Sequence, residues 1–395
     1  MDIFQKCYEP SLAKELKAAG VYPYFHALQS RQDVEVMMEG RRRIMLGSNN
    51  YLGLTTAPDV VEAGIHALEQ YGTGCSGSRF LNGTLQMHLE LEEELGKFLR
   101  KPGIVTFGTG FQSNVGIISA LVGRHDYVIC DRENHASIYA GCQMSYGKML
   151  RYRHSDMADL EKQLQRVPEQ NGALIVTDGV FSMDGNAAPL DRICALAEKY
   201  DALVMVDECH SAGVLGETGR GITELYDLRG QVDILTGTLG KAFGGAVGGF
   251  TTGRREIIDM LRQRSRPYLF SNSLPPAVVG AGIEMFRMLA ESNELHDRLV
   301  TNVEHFREGM MAAGFDIKPS QSAICAVMLY DAKLSQEFAA KLQDEGVFVT
   351  GFYYPVVPKG QARIRVQVSA GHTIEQLDRC IAAFTKVGKE LNVIK

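Results

Sequence analysis

Two stretches near the middle of the chain decide the fold, LVMVDECHS at residues 203–211 and VDILTGTLGK at residues 232–241. Each begins with a short run of Val, Ile, Leu and Met, which is typical of a strand buried on both faces of a parallel sheet. The interval between them has room for one helical crossover, so the two strands are predicted to be parallel. Parallel strands end at the same edge of a sheet, and ligands bind at that edge. We therefore expect Asp207 and Lys241 to lie close together there.

The same alternation of strand and helix patterns continues on both sides of these stretches. Short apolar runs predict strands, and apolar residues with helical periodicity predict helices between them. The strands are predicted at 104–107, 127–130, 173–177, 203–206 and 232–235, and the helices at 58–70, 85–99, 111–122, 156–166 and 189–199. Because such units form right-handed crossovers, the predicted fold class is α/β with a mostly parallel central sheet.

The pattern changes after about residue 275, which predicts a second and smaller α+β domain. A long helical region covers 275–313, and short strand-like runs at 323–329, 347–350 and 363–368 precede a final helix at 373–391. We expect an N-terminal arm over residues 1–50, a large domain over 51–290 and a small domain over 291–395.

Composition argues against several classes of protein. The 395 residues carry a net charge of −6, so a general nucleic-acid surface is not expected. No run approaches the roughly 18 apolar residues of a membrane span, and the first twenty residues lack the apolar core of a signal peptide. The eight cysteines are scattered without a C-x-x-C pair, so we expect a cytoplasmic protein.

Glycines and polar residues follow the predicted strands, at the edge where a ligand would bind. They include Gly108-Thr109-Gly110-Phe111, Asn134-His135, Asp178-Gly179, Ser182 to Gly185, Asp207 to His210 and Thr236 to Lys241. Taken singly, each signal has an ordinary structural explanation. A glycine-rich segment can be a turn, Asp207 a helix N-cap, His135 a hydrogen-bonded histidine and Lys241 a surface lysine.

Three familiar motifs are absent from this set. A P-loop ending at Gly240-Lys241 would need a glycine where Leu235 stands and Ser or Thr where Ala242 stands. No G-x-G-x-x-G follows an N-terminal strand, and no H-E-x-x-H or comparable spacing of metal ligands occurs. The sequence therefore favours neither a dinucleotide nor a metal as cofactor.

Taken together, the residues match the chemical requirements of pyridoxal phosphate. A glycine-rich helix start can hold the phosphate, and a histidine can stack on the ring. A lysine amine forms a Schiff base with the aldehyde. A carboxylate beside the pyridine nitrogen keeps it protonated, so that the ring accepts electrons from a substrate carbanion. The sequence thus predicts a pyridoxal phosphate enzyme.

Eight segments resemble the α-oxoamine synthase family of fold-type I pyridoxal phosphate enzymes, and the resemblance runs from about residue 20 to the end. They are SNNYLGL (48–54), GTGCSGSRFLNGT (72–84), NHASI (134–138), DGVFSMDG (178–185), MVDECHS (205–211), TGTLGKAFGG (236–245), RSRPYLFSNS (264–273) and ARIRVQVSAGHT (362–373). The resemblance implies a homodimer with shared active sites. It also implies a decarboxylative condensation of an amino acid with an acyl thioester, which yields a 2-amino ketone.

The resemblance implies catalytic roles for four residues. Lys241 would hold the cofactor and later remove the Cα proton of the substrate. Asp207 would pair with the pyridine nitrogen, and His210 would contact the phenolic oxygen. His135 would stack on the ring.

It also implies the remaining contacts of the cofactor and the substrate. Further cofactor contacts would come from Thr109, Gly110, Phe111, Ser182, Thr238 and Ser271, the last reaching the phosphate of the neighbouring subunit's cofactor. Arg365 would clamp the substrate carboxylate, for which a planar bidentate cation is suited, and Asn50 would assist it.

The two halves of the chain resemble different members of the family. Residues 20–165, with GVYPYF at 20–25, resemble bacterial serine palmitoyltransferases, whereas the chain after about residue 170, with VTGFYYPVVPKGQARIR at 349–365, resembles glycine C-acetyltransferases. Ser78 stands where glycine-specific members tend to have Val or Thr, which leaves room for a substituent on Cα. A clash there costs about 1–3 kcal/mol, enough to change selectivity.

We therefore expect the amino acid to be serine or cysteate and the acyl donor to be a fatty acyl thioester, on CoA or on an acyl-carrier protein. The product would be a 3-keto sphingoid-type base or a sulfonolipid precursor. Glycine with acetyl-CoA is the alternative. A non-catalytic partner subunit is disfavoured because Lys241, Asp207, His135 and Arg365 are all present. A regulatory domain is disfavoured because no segment resembles a DNA-binding module.

Overall fold

The computed structural model describes residues 2–9, 11–18, 22 and 24–395, so that Gly20, Val21 and Pro23 of the GVYPYF segment lie outside the described residues. The strands are β1 Glu35–Met38, β2 Arg41–Met45, β3 Gly103–Phe107, β4 Tyr127–Asp131, β5 Lys148–Tyr152, β6 Ala173–Asp178, β7 Leu203–Asp207, β8 Ile234–Thr238, β9 Gly249–Gly253, β10 Ile324–Tyr330, β11 Val347–Phe348, β12 Thr350–Phe352 and β13 Ala362–Gln367. The helices are α1 Gln5–Tyr8, α2 Leu12–Ala18, α3 Pro58–Tyr71, α4 Gln86–Leu99, α5 Gly110–Leu121, α6 Ala136–Met144, α7 Met157–Leu164, α8 Leu190–Lys199, α9 Ile222–Leu225, α10 Arg255–Arg264, α11 Arg266–Phe270, α12 Pro276–Glu291, α13 Glu294–Ala312, α14 Ala332–Asp344 and α15 Ile374–Glu390, with a 3-10 turn at Leu54–Thr56.

The central sheet has seven strands in the order β3-β9-β8-β7-β6-β4-β5. Strands β8, β7, β6, β4 and β5 pair in parallel, whereas β9 is antiparallel to both of its neighbours. The carboxyl ends of β4, β6, β7 and β8 therefore meet at one edge, and β3 ends at the same edge because β9 runs opposite to both β3 and β8. The predicted fold class, with a mostly parallel sheet, is confirmed.

Both faces of this sheet are buried, because alternate side chains of each strand enter different hydrophobic clusters. Val128, Val176 and Met205 pack on one face with residues of α5, α6 and α10. Their chain neighbours Ile129, Ile175 and Val204 pack on the other face with residues of α7, α8 and α12. Burial on both faces explains why these strands appear in the sequence as unbroken apolar runs.

Two three-stranded sheets accompany the central one. The first has the order β10-β13-β12 and is antiparallel, and β13 at its centre carries Arg363 and Arg365. In the second, β2 lies between β1 and β11, so that residues 41–45 pair with residues 347–348 near the other end of the chain. The division into segments 1–50, 51–290 and 291–395 stays a prediction.

Most elements lie where the periodicity predicts them, with two shifts that affect the site. The strand predicted at 232–235 is Ile234–Thr238, which places Thr238 at the strand end, and the helix predicted from 111 begins at Gly110. The apolar pattern did not predict four strands, β1, β2, β5 and β9, or seven helices, α1, α2, α6, α9, α10, α11 and α14. Within the described part of the chain, no helix is long and apolar enough to cross a membrane.

Candidate active site

A cavity of about 240 Å³ opens at the carboxyl ends of the parallel strands. It is lined by Thr109, Gly110, Phe111, Asn114, His135, Ser137, Asp178, Ser182, Asp207, Cys209, His210, Thr238 and Lys241. These residues follow β3, β4, β6, β7 and β8 in turn, as a ligand site in an open parallel sheet requires. All of the predicted site residues except Asn50, Ser78, Ser271 and Arg365 line this cavity.

The start of α5 forms one wall of the cavity. Thr109 is the N-cap of this helix, and its hydroxyl accepts a hydrogen bond from the Gln112 backbone N–H at 3.0 Å. At Gly110, an added Cβ would lie 3.0 Å from Cβ of Thr238, so the helix start and the end of β8 approach too closely for a side chain. Free backbone N–H groups at a helix start and a nearby hydroxyl together suit a phosphate.

A second glycine also permits the start of α5 to lie close to the sheet. A Cβ at Gly249, on β9, would lie 2.5 Å from Gly110 N and from Thr109 O. Any larger residue at 249 would therefore displace the start of α5 away from the sheet. The antiparallel strand β9 thus supports the wall that the helix start forms.

Asp207 lies in the cavity wall at the end of β7 and is almost fully buried. Its Oδ1 accepts a hydrogen bond from the Cys209 backbone N–H at 2.9 Å, and its Oδ2 accepts one from Asn114 Nδ2 at 2.7 Å. Asn114 is held in turn, because its Oδ1 accepts from Thr236 Oγ1 at 2.7 Å and its Nδ2 also donates to Ser137 Oγ at 2.8 Å. These donors hold both oxygens of the Asp207 carboxylate in place.

His135 is the N-cap of α6, and its ring is exposed to the cavity. Its backbone N–H donates to Asp178 Oδ2 at 2.8 Å, and its Nδ1 lies 2.7 Å from Ser137 Oγ. Desolvation by the surrounding protein lowers the pKa of His135, and the positive charge of Lys241 lowers it further against the opposing effect of Asp207. The ring is therefore neutral at pH 7, which suits stacking on an aromatic ligand.

Asp178 and Cys209 are two further ionisable residues in the cavity wall. Burial and the neighbouring charge of Asp207 raise the pKa of the Asp178 carboxyl well above its usual value. Burial and the same charge raise the pKa of the Cys209 thiol, so that Cys209 is a poor nucleophile at neutral pH. Lys241 supplies a primary amine to the same cavity.

The cavity wall therefore offers an anion cradle, a buried carboxylate and a primary amine. The cradle formed by Gly110 and Thr238 fits a phosphate, and the carboxylate of Asp207 fits a protonated pyridine nitrogen. An amine fits the aldehyde of pyridoxal phosphate, with which it forms a Schiff base. The donor and acceptor groups present thus fit this cofactor at each of its three reactive or charged ends.

A chain of hydrogen bonds joins His210 to Arg365. His210 Nδ1 lies 2.8 Å from the Tyr51 hydroxyl, to which Gln367 Nε2 donates at 2.9 Å. Gln367 Oε1 accepts from Arg365 Nη2 at 3.1 Å, and Arg365 Nη1 donates to the Ser182 backbone carbonyl, also at 3.1 Å. Arg365 therefore lies beside the cavity at Ser182, although it does not line it.

The other predicted substrate residue in this region is Asn50. It is buried, and Ser369 Oγ donates to its backbone carbonyl at 2.6 Å. Within the described part of the chain, its Nδ2 has no hydrogen-bond partner, and neither does Nε of Arg365. Each residue thus has a donor left for an acceptor such as a carboxylate.

Ser78 and Ser271 lie apart from the cavity. Ser78 pairs with Asn272, and Ser271 Oγ accepts a hydrogen bond from Gln112 Nε2 at 3.2 Å. Ser78 is only 5% exposed, and its hydroxyl has no partner among the described residues. The two serines thus lie on neighbouring segments that pack beside the start of α5.

The Ser78 loop is anchored by a buried ion pair. Arg79 donates to Glu92 from both terminal nitrogens, at 2.7 and 3.3 Å, and also to Thr106 Oγ1 at 2.9 Å. The Arg79 guanidinium also lies 5.6 Å from the centroid of the Tyr268 ring. Bidentate geometry of this kind fixes both orientation and distance. The loop is therefore held rigidly against α4 and α11.

A second cavity, of about 520 Å³, adjoins the first at Ser182. The loop 354–358 lines one side, and Asp184, Lys318 and Arg363 line the other, with Asp184 in ion pairs to both cations. Asp184 also lies near His154 and Glu133, as carboxylates and imidazoles around a metal would. Its pairing with Lys318 and Arg363 provides the structural explanation for that group.

Four residues that shape the site were not predicted: Asn114, Ser137, Tyr51 and Gln367. Asn114 lies in the helix predicted at 111–122 and Ser137 in the quoted segment 134–138, but both are far from Asp207 along the chain. Gln367 follows Arg365 by two residues on β13, so strand alternation alone places both on one face. That signal was available in the sequence.

The fold and the site together define a fold-type I pyridoxal phosphate transferase. Residues 41–384 match the sequence profile of the family described as aminotransferase class I and II. The 2-amino-3-ketobutyrate coenzyme A ligase of Escherichia coli strain K12 is 48% identical over 381 residues, which cover 96% of each chain. The 8-amino-7-oxononanoate synthase of Thermoanaerobacter pseudethanolicus is 46% identical over 382 residues, again covering 96% of each.

A solved structure agrees over the whole chain. The serine palmitoyltransferase of S. paucimobilis, as a lysine-to-alanine variant with a bound PLP–myriocin aldimine, is 38% identical, has a TM-score of 0.95 and covers 100% of both chains. The chain belongs to the aminotransferase class I and II family and, within it, to the α-oxoamine synthases. The predictions of the family, the fold type, an enzyme and its pyridoxal phosphate cofactor are confirmed at that level.

Proposed function

We propose that this protein condenses a small amino acid with an acyl thioester and releases carbon dioxide and a 2-amino ketone. The observation that carries the proposal is the meeting of Lys241, Asp207 and the Gly110–Thr238 cradle at one cavity. When bound there, pyridoxal phosphate withdraws electrons from the amino acid Cα, so that its proton and later its carboxylate can leave.

The residues of the chain have distinct tasks in this reaction. The start of α5 and Thr238 hold the phosphate, and Asp207, held in place by Asn114 and the Cys209 N–H, would face the pyridine nitrogen. The Lys241 amine binds the cofactor and, once displaced by the substrate amine, accepts the Cα proton. The neutral ring of His135 covers one face of the cofactor and excludes water from it.

The substrate carboxylate is proposed to bind near Arg365 and Asn50. Arg365 Nε and Asn50 Nδ2 are buried donors without a partner in the described part of the chain, and such donors are normally satisfied by a ligand or water. A carboxylate that reaches them would be placed beside Ser182, at the junction of the two cavities. The second cavity would take the acyl thioester, with an apolar wall at Val356 and Val357 and cations at Lys318 and Arg363.

Glycine and acetyl-CoA are the substrates that the sequence relatives support best. The expected main reaction, serine or cysteate with a fatty acyl thioester, resembles that of relatives at 38% identity, whereas 2-amino-3-ketobutyrate coenzyme A ligases reach 48%. The alternative is thus better supported than the main prediction, and we adopt it as the first candidate.

Serine with a fatty acyl thioester is retained as a second candidate because of Ser78. Its hydroxyl is buried without a partner in the described part of the chain, and leaving a hydroxyl unpaired costs about 1–3 kcal/mol. A polar substrate group delivered at that position would pair with it. Serine palmitoyltransferases also match this chain over its whole length at a TM-score of 0.96.

A homodimer is proposed as the unit that completes the site. Large apolar side chains are exposed where the Ser78 loop, the Ser271 segment and the start of α5 lie together: Phe80 at 63%, Leu81 at 73%, Phe111 at 49% and Phe270 at 76%. An exposed apolar patch of this kind marks an interface. If a second copy bound there, Ser78 and Ser271 of the first copy would lie at the cavity of the second, as shared active sites require.

A competition reaction tests the proposed substrates. The holoenzyme receives glycine, serine and cysteate together with acetyl-CoA and palmitoyl-CoA, and the products are identified by mass spectrometry. Aminoketobutyrate or its decarboxylation product aminoacetone supports the first candidate, and a long-chain 3-keto base supports the second. If no 2-amino ketone forms, or if Lys241→Ala retains full turnover, the proposed reaction is wrong.

A variant of Ser78 tests its selecting role separately. Under the second candidate, Ser78→Val would narrow the space beside Cα, and kcat/KM for serine would fall about 10–200-fold relative to that for glycine. Ser119→Ala is the control, since it removes a hydroxyl on α5 whose hydrogen bond, among the described residues, is to the Val115 carbonyl. An unchanged ratio in Ser78→Val would remove Ser78 from the set of substrate residues.

A further inference from the structure

Three buried side chains from distant parts of the chain meet at one hydroxyl group. The Tyr51 hydroxyl lies 2.8 Å from His210 Nδ1 and 2.9 Å from Gln367 Nε2, and each of the three residues is buried. Tyr51 follows the Asn49-Asn50 pair, and His210 follows β7. The chemistry of these side chains determines which group donates and which accepts in each hydrogen bond.

Arg365 sets the orientation of the Gln367 amide. A guanidinium can only donate, so the group facing Arg365 Nη2 at 3.1 Å must be the amide oxygen. The amide nitrogen then faces Tyr51, and it also donates to Asn49 Oδ1, which accepts its second hydrogen. Both hydrogens of this nitrogen are therefore assigned.

The Gln367 amide in turn sets the direction of the next bond. Because an amide nitrogen is not an acceptor, the Tyr51 oxygen accepts from it and must use its own hydrogen elsewhere. Within the described residues, His210 Nδ1 is the acceptor within reach of that hydrogen. If Nδ1 carried the proton instead, the phenolic hydrogen would be buried and unpaired, which is costly.

The charges around the cluster agree with this assignment. Burial lowers the pKa of His210 well below its usual value, and the positive charges of Lys241 and Arg365 and the nearby His135 lower it further. Burial raises the pKa of Tyr51 to about 12. At neutral pH both groups are therefore uncharged, and the neutral imidazole carries one proton.

We propose that Tyr51 and Gln367 are positioning residues that hold His210 with its single proton on Nε2, as a donor to the cofactor. In this arrangement Arg365, through Gln367 and Tyr51, sets the tautomer of the histidine, so that the substrate clamp and the cofactor contact are parts of one hydrogen-bonded chain. The role of His210 toward the cofactor rests on the proposed function, whereas its tautomer is set by hydrogen bonds within the protein.

Nuclear magnetic resonance of the holoenzyme labelled with nitrogen-15 at histidine tests the tautomer directly. The two ring nitrogens of His210, assigned by the loss of its signals in His210→Asn, are expected to show a protonated Nε2 and an unprotonated Nδ1 at pH 7.5. A proton on Nδ1 in the native protein would overturn the proposal. The same spectrum of the cofactor-free protein gives the tautomer even if pyridoxal phosphate does not bind.

Gln367→Glu replaces the amide nitrogen that donates to Tyr51 with an oxygen that accepts, with little change in the shape of the side chain. A carboxylate at 367 would accept from both Arg365 and Tyr51, so the phenol could no longer donate to His210. His210 Nδ1 is then expected to gain a proton, which the same spectrum reports. An Nδ1 that stays unprotonated in this variant would contradict the proposal that Gln367 and Tyr51 set the tautomer of His210.

Tyr51→Phe tests the consequence for the cofactor contact. Without the phenol, the visible absorbance of the lysine-bound cofactor is expected to shift between its ionised and neutral phenol forms. We expect kcat to fall about tenfold, the effect of one weakened hydrogen bond, and KM for the amino acid to change less than about threefold. The control is Tyr152→Phe, since Tyr152 is also fully buried and its hydroxyl has no hydrogen-bond partner in the described part of the chain.

The outcomes separate the two proposals. If the protein neither acquires visible absorbance with pyridoxal phosphate nor forms a 2-amino ketone, the proposed function is wrong. If it does both but His210 carries its proton on Nδ1, or if Tyr51→Phe leaves both the spectrum and kcat unchanged, only the positioning role is wrong.

Discussion

Asn114 connects the carboxylate of Asp207 to the interior of the sheet, and its replacement tests how the pyridine end of the site works. In Asn114→Leu a side chain of similar size keeps the packing but removes the Nδ2 donor that lies 2.7 Å from Asp207 Oδ2. It also removes the acceptor for Thr236 Oγ1. A buried carboxylate that loses a donor is less stable as an anion, so that it holds the protonated pyridine nitrogen less well.

The size of the effect follows from the type of bond that is lost. A hydrogen bond to a charged group contributes about 1.5–3 kcal/mol, which corresponds to about 10–150-fold in an equilibrium constant. We expect the dissociation constant of pyridoxal phosphate to rise by that factor in Asn114→Leu. Asn114→Asp should have at least as large an effect, because a second carboxylate beside Asp207 disfavours ionisation of either.

The assay is a titration of the cofactor-free protein with pyridoxal phosphate, followed by visible absorbance, with urea unfolding as the measure of stability. Thr236→Val is the matched control, since it removes a neutral hydrogen bond to the same asparagine and leaves Nδ2 in place. Its affinity is expected to stay within about threefold of the native value, while stability falls by about 1 kcal/mol. If Asn114→Leu folds and binds pyridoxal phosphate as tightly as Thr236→Val does, the argument for Asn114 is refuted.

Three further predictions concern stability and the phosphate cradle. Burial raises the pKa of Glu208 to about 7, against 4.5 for an exposed carboxyl, so its contribution to stability is complete below pH 4.5 and is lost as the pH rises to 7. At about 1.4 kcal/mol per pH unit, the loss of unfolding free energy is about 3 kcal/mol. The unfolding free energy measured in urea should therefore decrease from pH 5 to pH 8, and this decrease should be smaller by about that amount in Glu208→Gln. Arg79→Met leaves the buried Glu92 with Arg262, at 3.4 Å, as its cation and with the two hydrogen bonds from Thr106. This variant should cost about 3–5 kcal/mol in the same assay, and most of that cost should be recovered when Glu92→Gln is added. An additive double variant would contradict this coupling. In Gly110→Ala the new methyl would lie 3.0 Å from Cβ of Thr238. Affinity for pyridoxal phosphate should therefore fall at least about tenfold, while affinity for pyridoxal, which lacks the phosphate, should stay unchanged. Equal losses for both compounds would mean that the methyl does not act on the cradle.

The proposed choice between the two substrate pairs depends on the Ser78 loop more than on the cavity itself. The cavity residues fit the cofactor, and they would serve any amino acid that forms a Schiff base with it. Ser78 is held against the 268–274 segment by the Arg79–Glu92 pair and lies outside the cavity of its own chain. The selecting role proposed for Ser78 therefore requires the proposed dimer, and the experiments that identify the substrate also test that assembly.

Local patterns in the sequence determined the architecture and the cofactor end of the site. Strands buried on both faces must be apolar throughout, and so β4, β6 and β7 are visible as Val- and Ile-rich runs without any partner being known. Because parallel strands end at one edge, Thr109, His135, Asp207 and Lys241 could be placed together from their positions alone.

Other features were decided only by the tertiary structure. Strand β9 is antiparallel and glycine-rich, so its run lacks the apolar signal, yet Gly249 on it permits the close approach of α5. Asn114 lies 93 residues from Asp207, and Gln367 lies 316 residues from Tyr51. Polar contacts over such separations leave no periodic trace, because they depend on how strands and helices pack and not on the spacing of residues within them. The sequence alone therefore determined which chemical groups reach the cavity, whereas packing decided which hydrogen bonds set their charge and orientation.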